Sequence, residues 1–148
     1  YGTSTDAVHI TNPDPGGQVR AMRMALQDAG LQPEDIGYIN AHGTATLAGD
    51  LAEAMSIGEV FAGLRVPVSS TKALHGHLLG AGGALEMLIA LQALRRQRRP
   101  VAAHLSEPDP KCDLNLVRPD QDQGPTWQHA MSNSFAFGGT NAVLIVSA

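Results

Sequence analysis

Cysteine is nearly absent from this chain. Cys112 stands alone among 148 residues, which excludes a disulfide framework within the chain and fits a reducing, cytoplasmic compartment. Aromatic residues are almost as scarce, with one Trp, two Tyr and three Phe, so the core must be built from Ala, Leu, Val, Ile and Met. Basic charge is in deficit: 10 Lys and Arg stand against 14 Asp and Glu, a formal net charge of −4. Nucleic-acid backbones demand a net basic face, so that class of partner is excluded as the main one. No secretory signal leads the sequence, and no apolar run reaches the roughly 20 residues that a membrane span needs. An initiator Met is also missing. The chain opens at Tyr1 as if inside something longer, and it is expected to be a fragment or a processed piece.

What is present is a globular composition, 43% hydrophobic and 16% charged, at a length that suits one domain over residues 1–148. Pro and Gly in Thr11–Gly17 mark a loop. Val19, Met22, Ala25, Leu26 and Ala29 then fall at helical spacing, with Gly30 at the stop. Ile36–Ala41 reads as a strand, Leu51–Phe61 as a helix, and Val66–Ser69 as another strand. Leu78–Leu94 is apolar on nearly every side and is expected to be a core helix touched from several directions. Loops at Ser106–Pro110 and Pro119–Pro125 and strands at Leu114–Val117, His129–Phe135 and Ala142–Val146 complete an α/β pattern.

Three polar islands interrupt this background. Asn40–Thr46 (NAHGTAT) follows a strand, where α/β sheets meet their ligands, so His42 is well placed to touch one; a histidine that merely caps its loop fits equally well. Ser69–His77 (SSTKALHGH) leads into the apolar helix. His77 is expected at or just before that helix's first turn, where the dipole and nearby Lys72 both disfavour imidazolium. A neutral ring there can donate one N–H to a carbonyl oxygen that is becoming an enolate. Glu86 is the lone charge of the helix and needs a partner; Lys72 is the natural one, in a pair that serves either chemistry or plain tethering. Asn133–Asn141 (NSFAFGGTN) lies between two strands, and its paired glycines suit close backbone approach to a ligand or a simple hairpin turn.

Other chemistries fit poorly. His42, His75 and His77 lack the carboxylate or cysteine that would complete a zinc site, and Lys72 repels a cation. Gly80-Ala81-Gly82-Gly83 is no dinucleotide fingerprint, because Leu85 occupies the third glycine position. A G-x-S-x-G elbow does not occur. Arg95–Arg99 reads as a solvated helix end.

In order and spacing, the islands resemble the β-ketoacyl synthases of the thiolase superfamily. The matching runs are YINAHGTATLAGDLAEA, VPVSSTKALHGHLLGAGGALE and NSFAFGGTN, with YGTSTDAVHIT and KCDLNLV in softer agreement. The similarity spans the whole chain and is nearest to the elongating, 3-oxoacyl-[acyl-carrier-protein] synthase II type. It implies the C-terminal half of a thiolase-like αβαβα fold, with a mixed sheet and a buried central helix. It further implies decarboxylative Claisen condensation of malonyl-acyl carrier protein with an acyl-enzyme thioester in fatty-acid elongation.

By the same resemblance, His42 and His77 polarise the malonyl thioester, Lys72 orders the site, and Glu86 is its buried acidic partner. Phe137 is the gating residue whose N–H serves the oxyanion hole. Thr44 and Thr46 hold the phosphopantetheine arm, with Phe135 and Gly138 also assigned to substrate. The implied partners are acyl carrier protein, the missing N-terminal half and a second copy in a homodimer. No metal is implied, and no cofactor beyond the phosphopantetheine of the carrier. The nucleophilic cysteine belongs to the missing half, so the chain alone is expected to be inactive; Cys112 reads as a structural thiol. Ala136 replaces a glycine of the family's gating loop, which restricts the backbone there. Alternative readings are a non-catalytic partner resembling a chain-length factor, and a polyketide-type or thiolase-type condensing enzyme.

Overall fold

The structure is a computed structural model and describes residues 1–5, 9–120 and 124–148. Parts of the opening motif (Asp6–Val8) and of the Pro119–Pro125 loop lie outside the described residues. Helix α1 runs Pro15–Ala29, β2 Ile36–Asn40, α2 Leu47–Phe61, β3 Pro67–Ser69, α3 Lys72–His75 and α4 Gly82–Arg96. Strands β1 (Gly2–Ser4), β4 (Asn115–Leu116), β5 (His129–Phe135) and β6 (Asn141–Ser147) complete a six-stranded sheet in the order β1-β6-β5-β2-β3-β4.

The sheet is mixed. β5, β2, β3 and β4 run parallel, while β6 and β1 are antiparallel to their neighbours. Period-two alternation assigns residues to the two faces. Ile39, Val68, Met131, Phe135 and Val143 pack with Met22, Ala25, Ile57 and Phe61 beneath α1 and α2. Tyr38 and Ala130 face the other way, onto Ala90, Ala93 and Leu94 of α4 with Val117 and Trp127. The result is three layers, helices on each side of the parallel strands. Those strands all point their carboxyl ends toward the polar islands.

Local chemistry moves several expected boundaries. Helix α1 starts three residues before Gln18, because Asp14 accepts hydrogen bonds from the N–H groups of Gly16 and Gly17 and Pro15 occupies the first helical position. Gly30 closes it in the left-handed conformation. The apolar helix begins at Gly82 rather than Leu78. A single 3₁₀ turn, Leu79–Ala81, intervenes, with Leu79 itself at φ 50°. Among Gly80, Gly82 and Gly83 the chain has little intrinsic drive to extend the helix backward. Contact with the sheet buries one face of α4, while Leu88 on its outer face is half exposed and Leu79 before it is exposed; among the described residues the helix is not covered on several sides. No described helix is long and apolar enough to cross a membrane.

Candidate active site

The site is built at the carboxyl end of β2. Alternation directs Asn40 toward α4 and Ala41 toward α1 and α2, and the backbone then turns through His42 and Gly43. Gly43 has φ +33°, and a Cβ there would lie 2.7 Å from Cβ of Ser70, so only glycine fits. Ser70 also donates to the Gly43 carbonyl at 2.8 Å, joining this turn to the one after β3.

The peptide groups around His42 are gripped from both faces of the sheet. From the α2 side, the Glu53 carboxylate accepts the N–H of His42 at 2.9 Å and of Gly43 at 2.8 Å, and the amide of Asn133 at 3.1 Å. From the α4 side, the Lys72 ammonium donates to the His42 carbonyl and to Glu86 Oε1, each at 2.5 Å. The Lys72 and Glu86 side chains are 7% and 2% exposed. An ion pair so deeply buried is held by its geometry and by these further hydrogen bonds, since desolvation opposes it. Burial raises the Glu53 carboxyl above its ordinary range, against the pull of the Gly43 N–H, Asn133, the His42 N–H and Lys72.

The two imidazoles meet edge to face, with ring centroids 5.6 Å apart and planes at 83°. Burial, then the charge of Lys72, then His77 lower the pKa of His42 to about 4. The neutral-ring argument made for His77 from the helix dipole thus applies to His42, and for a different reason. His77 sits ahead of the 3₁₀ turn and not on the first turn of α4. Its protonation pattern is set locally: the Leu79 N–H donates to His77 Nδ1 at 3.2 Å. A backbone N–H only donates, so Nδ1 accepts and the neutral ring carries its proton on Nε2. His42 Nδ1 is buried without a hydrogen-bond partner among the described residues.

A cavity of about 700 Å³ opens beside these groups, lined by His77, Lys72, Glu53, Thr44, Thr46 and Asp50 among others. Thr44 and Thr46 hydroxyls lie 3.1 Å apart on its wall. The structure brings His42, His77, Lys72, Glu86, Thr44 and Thr46 together and adds Phe135, whose ring centroid is 6.2 Å from that of His42. Phe137 is not packed with them. It lies in the β5–β6 turn, 76% exposed, and the neighbouring Gly138 N–H is engaged by the Ile10 carbonyl at 2.8 Å. Cys112 also lines the cavity, half buried, and burial first, then Asp109 and Asp50, push its thiol up and away from thiolate.

Glu53 is the residue that sequence reasoning missed. It lies within the YINAHGTATLAGDLAEA run, on the helix after the His42 loop, and its polarity among Ala52, Ala54 and Ile57 on a buried face was the available signal. Chemically the ensemble is an α/β site that sets two imidazoles edge to face beside a buried ammonium–carboxylate pair, at the mouth of a cavity. Such an array stabilises oxyanion charge as it develops on a carbonyl.

Comparison with known proteins gives the family. Residues 1–106 match the family described as beta-ketoacyl synthase, C-terminal domain, and the chain belongs to that family. More particularly, it is homologous to the C-terminal part of 3-oxoacyl-[acyl-carrier-protein] synthase 2. The Staphylococcus aureus protein of that name is 46% identical over 98% of this chain and 37% of its own length. A beta-ketoacyl synthase from Burkholderia phymatum STM815 superposes with TM-score 0.91 at 41% identity, over 97% of this chain and 35% of that one. The ishigamide ketosynthase/chain length factor gives TM-score 0.91 at 36% identity, over 99% and 36%. The chain therefore spans little more than a third of the curated relatives it matches.

Proposed function

We propose that this chain is the C-terminal half of a condensing acyltransferase that extends an acyl group with malonyl-acyl carrier protein in fatty-acid synthesis. The observation that carries the reading is the pair of edge-to-face imidazoles, His42 held neutral by its surroundings and His77 with its proton directed to Nε2. In the proposed reaction the malonyl carboxyl leaves as CO₂, and the electron pair of the broken C–C bond becomes an enolate on the thioester. Neutral N–H donors accept the growing charge on the thioester oxygen without first losing a proton. The enolate carbon then attacks an acyl thioester and expels the enzyme's thiolate. Lys72 and Glu86 fix the backbone that carries His42, and Glu53 holds it from the other side. Thr44 and Thr46 line the approach for the phosphopantetheine arm, and Phe137 gates the acyl side.

In this reading the nucleophilic cysteine comes from the remaining part of the protein, as the family resemblance implies, since Cys112 sits in a Lys-Cys-Asp-Leu stretch that matches no nucleophile motif. This chain by itself does not condense. Its partners are acyl carrier protein, the complementary segment and, in the complete enzyme, a second copy, and its place of action is the cytoplasm. The test is to co-express the chain with a complementary synthase segment and assay chain extension from malonyl-acyl carrier protein. Extension is expected only with both parts present, and His42→Ala or His77→Ala should reduce it about 100-fold or more. Undiminished extension by either variant would remove the assigned roles.

A further inference from the structure

Asn40, Thr71 and His75 form a polar chain that the chemistry above does not use. Asn40 ends β2 just before the His42 turn and is wholly buried. Its Nδ2 donates to Thr71 Oγ1 at 3.3 Å and to the backbone carbonyl of Glu86 at 3.2 Å. Thr71 is equally buried and immediately precedes Lys72. Its Oγ1 lies 3.1 Å from His75 Nε2, while His75 Nδ1 lies 2.7 Å from the carbonyl oxygen of Gly76. A carbonyl oxygen can only accept. The neutral ring therefore carries its proton on Nδ1, and Nε2 is left as an acceptor for the Thr71 hydroxyl.

Thr71 Oγ1 also lies 3.4 Å from Asn40 Oδ1. With its single proton given to the nearer His75 Nε2 at 3.1 Å, each link has one donor and one acceptor, running from Asn40 through Thr71 and His75 to Gly76. The second N–H of the Asn40 amide is fixed on α4 at Glu86. The chain meets the site at three places. Asn40 lies on the strand that delivers His42, Thr71 adjoins Lys72, and Glu86 is the residue whose carboxylate holds the Lys72 ammonium. Its outer end, His75, is only half buried, so that end depends on the ring nitrogen being present and correctly protonated.

We propose that His75 is a positioning residue of the condensing site, its Nε2 terminating a buried hydrogen-bond chain through Thr71 and Asn40 that sets Lys72 and Glu86 against the end of β2. The role rests on the function proposed above. His75 touches no reacting atom; it acts through Thr71. Because the two ring nitrogens serve separate partners, the two amide substitutions are informative. Gln places a polar atom near the position of Nε2, whereas Asn places one near Nδ1 only.

The experiment uses the chain assembled with its complementary segment. His75→Gln should keep kcat within about twofold, because its amide oxygen accepts from Thr71. His75→Asn and His75→Ala should lose about five- to tenfold in kcat with KM for the malonyl carrier unchanged, the loss expected of one hydrogen bond acting on the reacting centre. Thr71→Val should lose a similar factor, and the His75→Ala/Thr71→Val double variant should lose no more than Thr71→Val alone. Equal losses for Gln and Asn, a loss confined to KM, or multiplying losses in the double variant would overturn the proposal. A second readout does not depend on turnover: nitrogen NMR of the histidine rings should find His75 protonated at Nδ1, changing in Thr71→Val. A ring protonated at Nε2 refutes the chain whatever the activity. An inactive wild type with an Nδ1-protonated ring would instead fault the condensing reading and uphold the chain.

Discussion

His42 occupies its position because Glu53 and Lys72 hold its backbone, with Glu86 fixing Lys72. Separate predictions follow for the ring, for Glu53 and for the Lys72–Glu86 pair. Burial and the Lys72 charge lower its pKa from 6.5 to about 4. Between those values the unfolded chain binds more protons at this residue than the folded one, so stability rises with pH across the window. The contribution is complete above about pH 6.5 and lost as pH falls toward 4. His42→Gln should flatten that segment of the stability-against-pH curve, read by denaturant melts at a series of pH values. Glu53→Gln is nearly isosteric yet turns an acceptor into a donor facing a buried backbone N–H. It should destabilise by about 1–3 kcal/mol, and turnover should fall with it as the His42 loop relaxes. For Lys72 and Glu86 the prediction is non-additive. Removing one partner leaves a buried charge unmatched and should cost about 3–5 kcal/mol, whereas Lys72→Met/Glu86→Leu should recover most of that stability. Catalysis should stay lost in the double variant, which separates the fold's need for the pair from the reaction's.

At the scale of elements, the motifs were easier to read than the geometry that joins them. β2, α2 and β5 were visible in apolar periodicity, and the lone acid of the apolar helix called for a partner that the structure supplies in Lys72. The start of α1 was obscured because Pro15, Gly16 and Gly17 look like loop until Asp14 is seen accepting their N–H groups. The start of α4 was misjudged because an apolar run does not distinguish a 3₁₀ turn from a helix. Glu53 was hidden by its neighbours: it reads as a surface acid until alternation on β2 and β5 places the His42 turn and Asn133 above it. An apolar α4 in a chain read as a fragment already pointed to an exposed apolar face, and the structure shows it at Leu79 and Leu88. Helix α2 offers one test of local strain. Ala62, the residue that caps its C-terminus just after Phe61, has φ 29°, a region where a Cβ is unfavourable. Ala62→Gly should therefore raise stability by about 0.5–1 kcal/mol in thermal or denaturant melts.

For the whole molecule, the proposed function gives this domain one side of a reaction. It carries the two imidazoles to which the proposal assigns enolate stabilisation, beside a cavity of about 700 Å³. Leu79 and Leu88 remain exposed around α4, close to Leu85 and Ile89. The relatives are nearly three times as long as the chain. In the proposed reaction, decarboxylation separates the step assigned to this domain from acyl transfer. The decisive measurement is therefore the rate of CO₂ release from malonyl-acyl carrier protein by the assembled enzyme, with wild-type, His42→Ala and His77→Ala chains. Falls of about 100-fold or more in each single variant, with the double variant little worse than the poorer single, are predicted for two donors acting on one oxygen. Release at the wild-type rate in either single variant would contradict the claim that these two neutral rings stabilise the enolate.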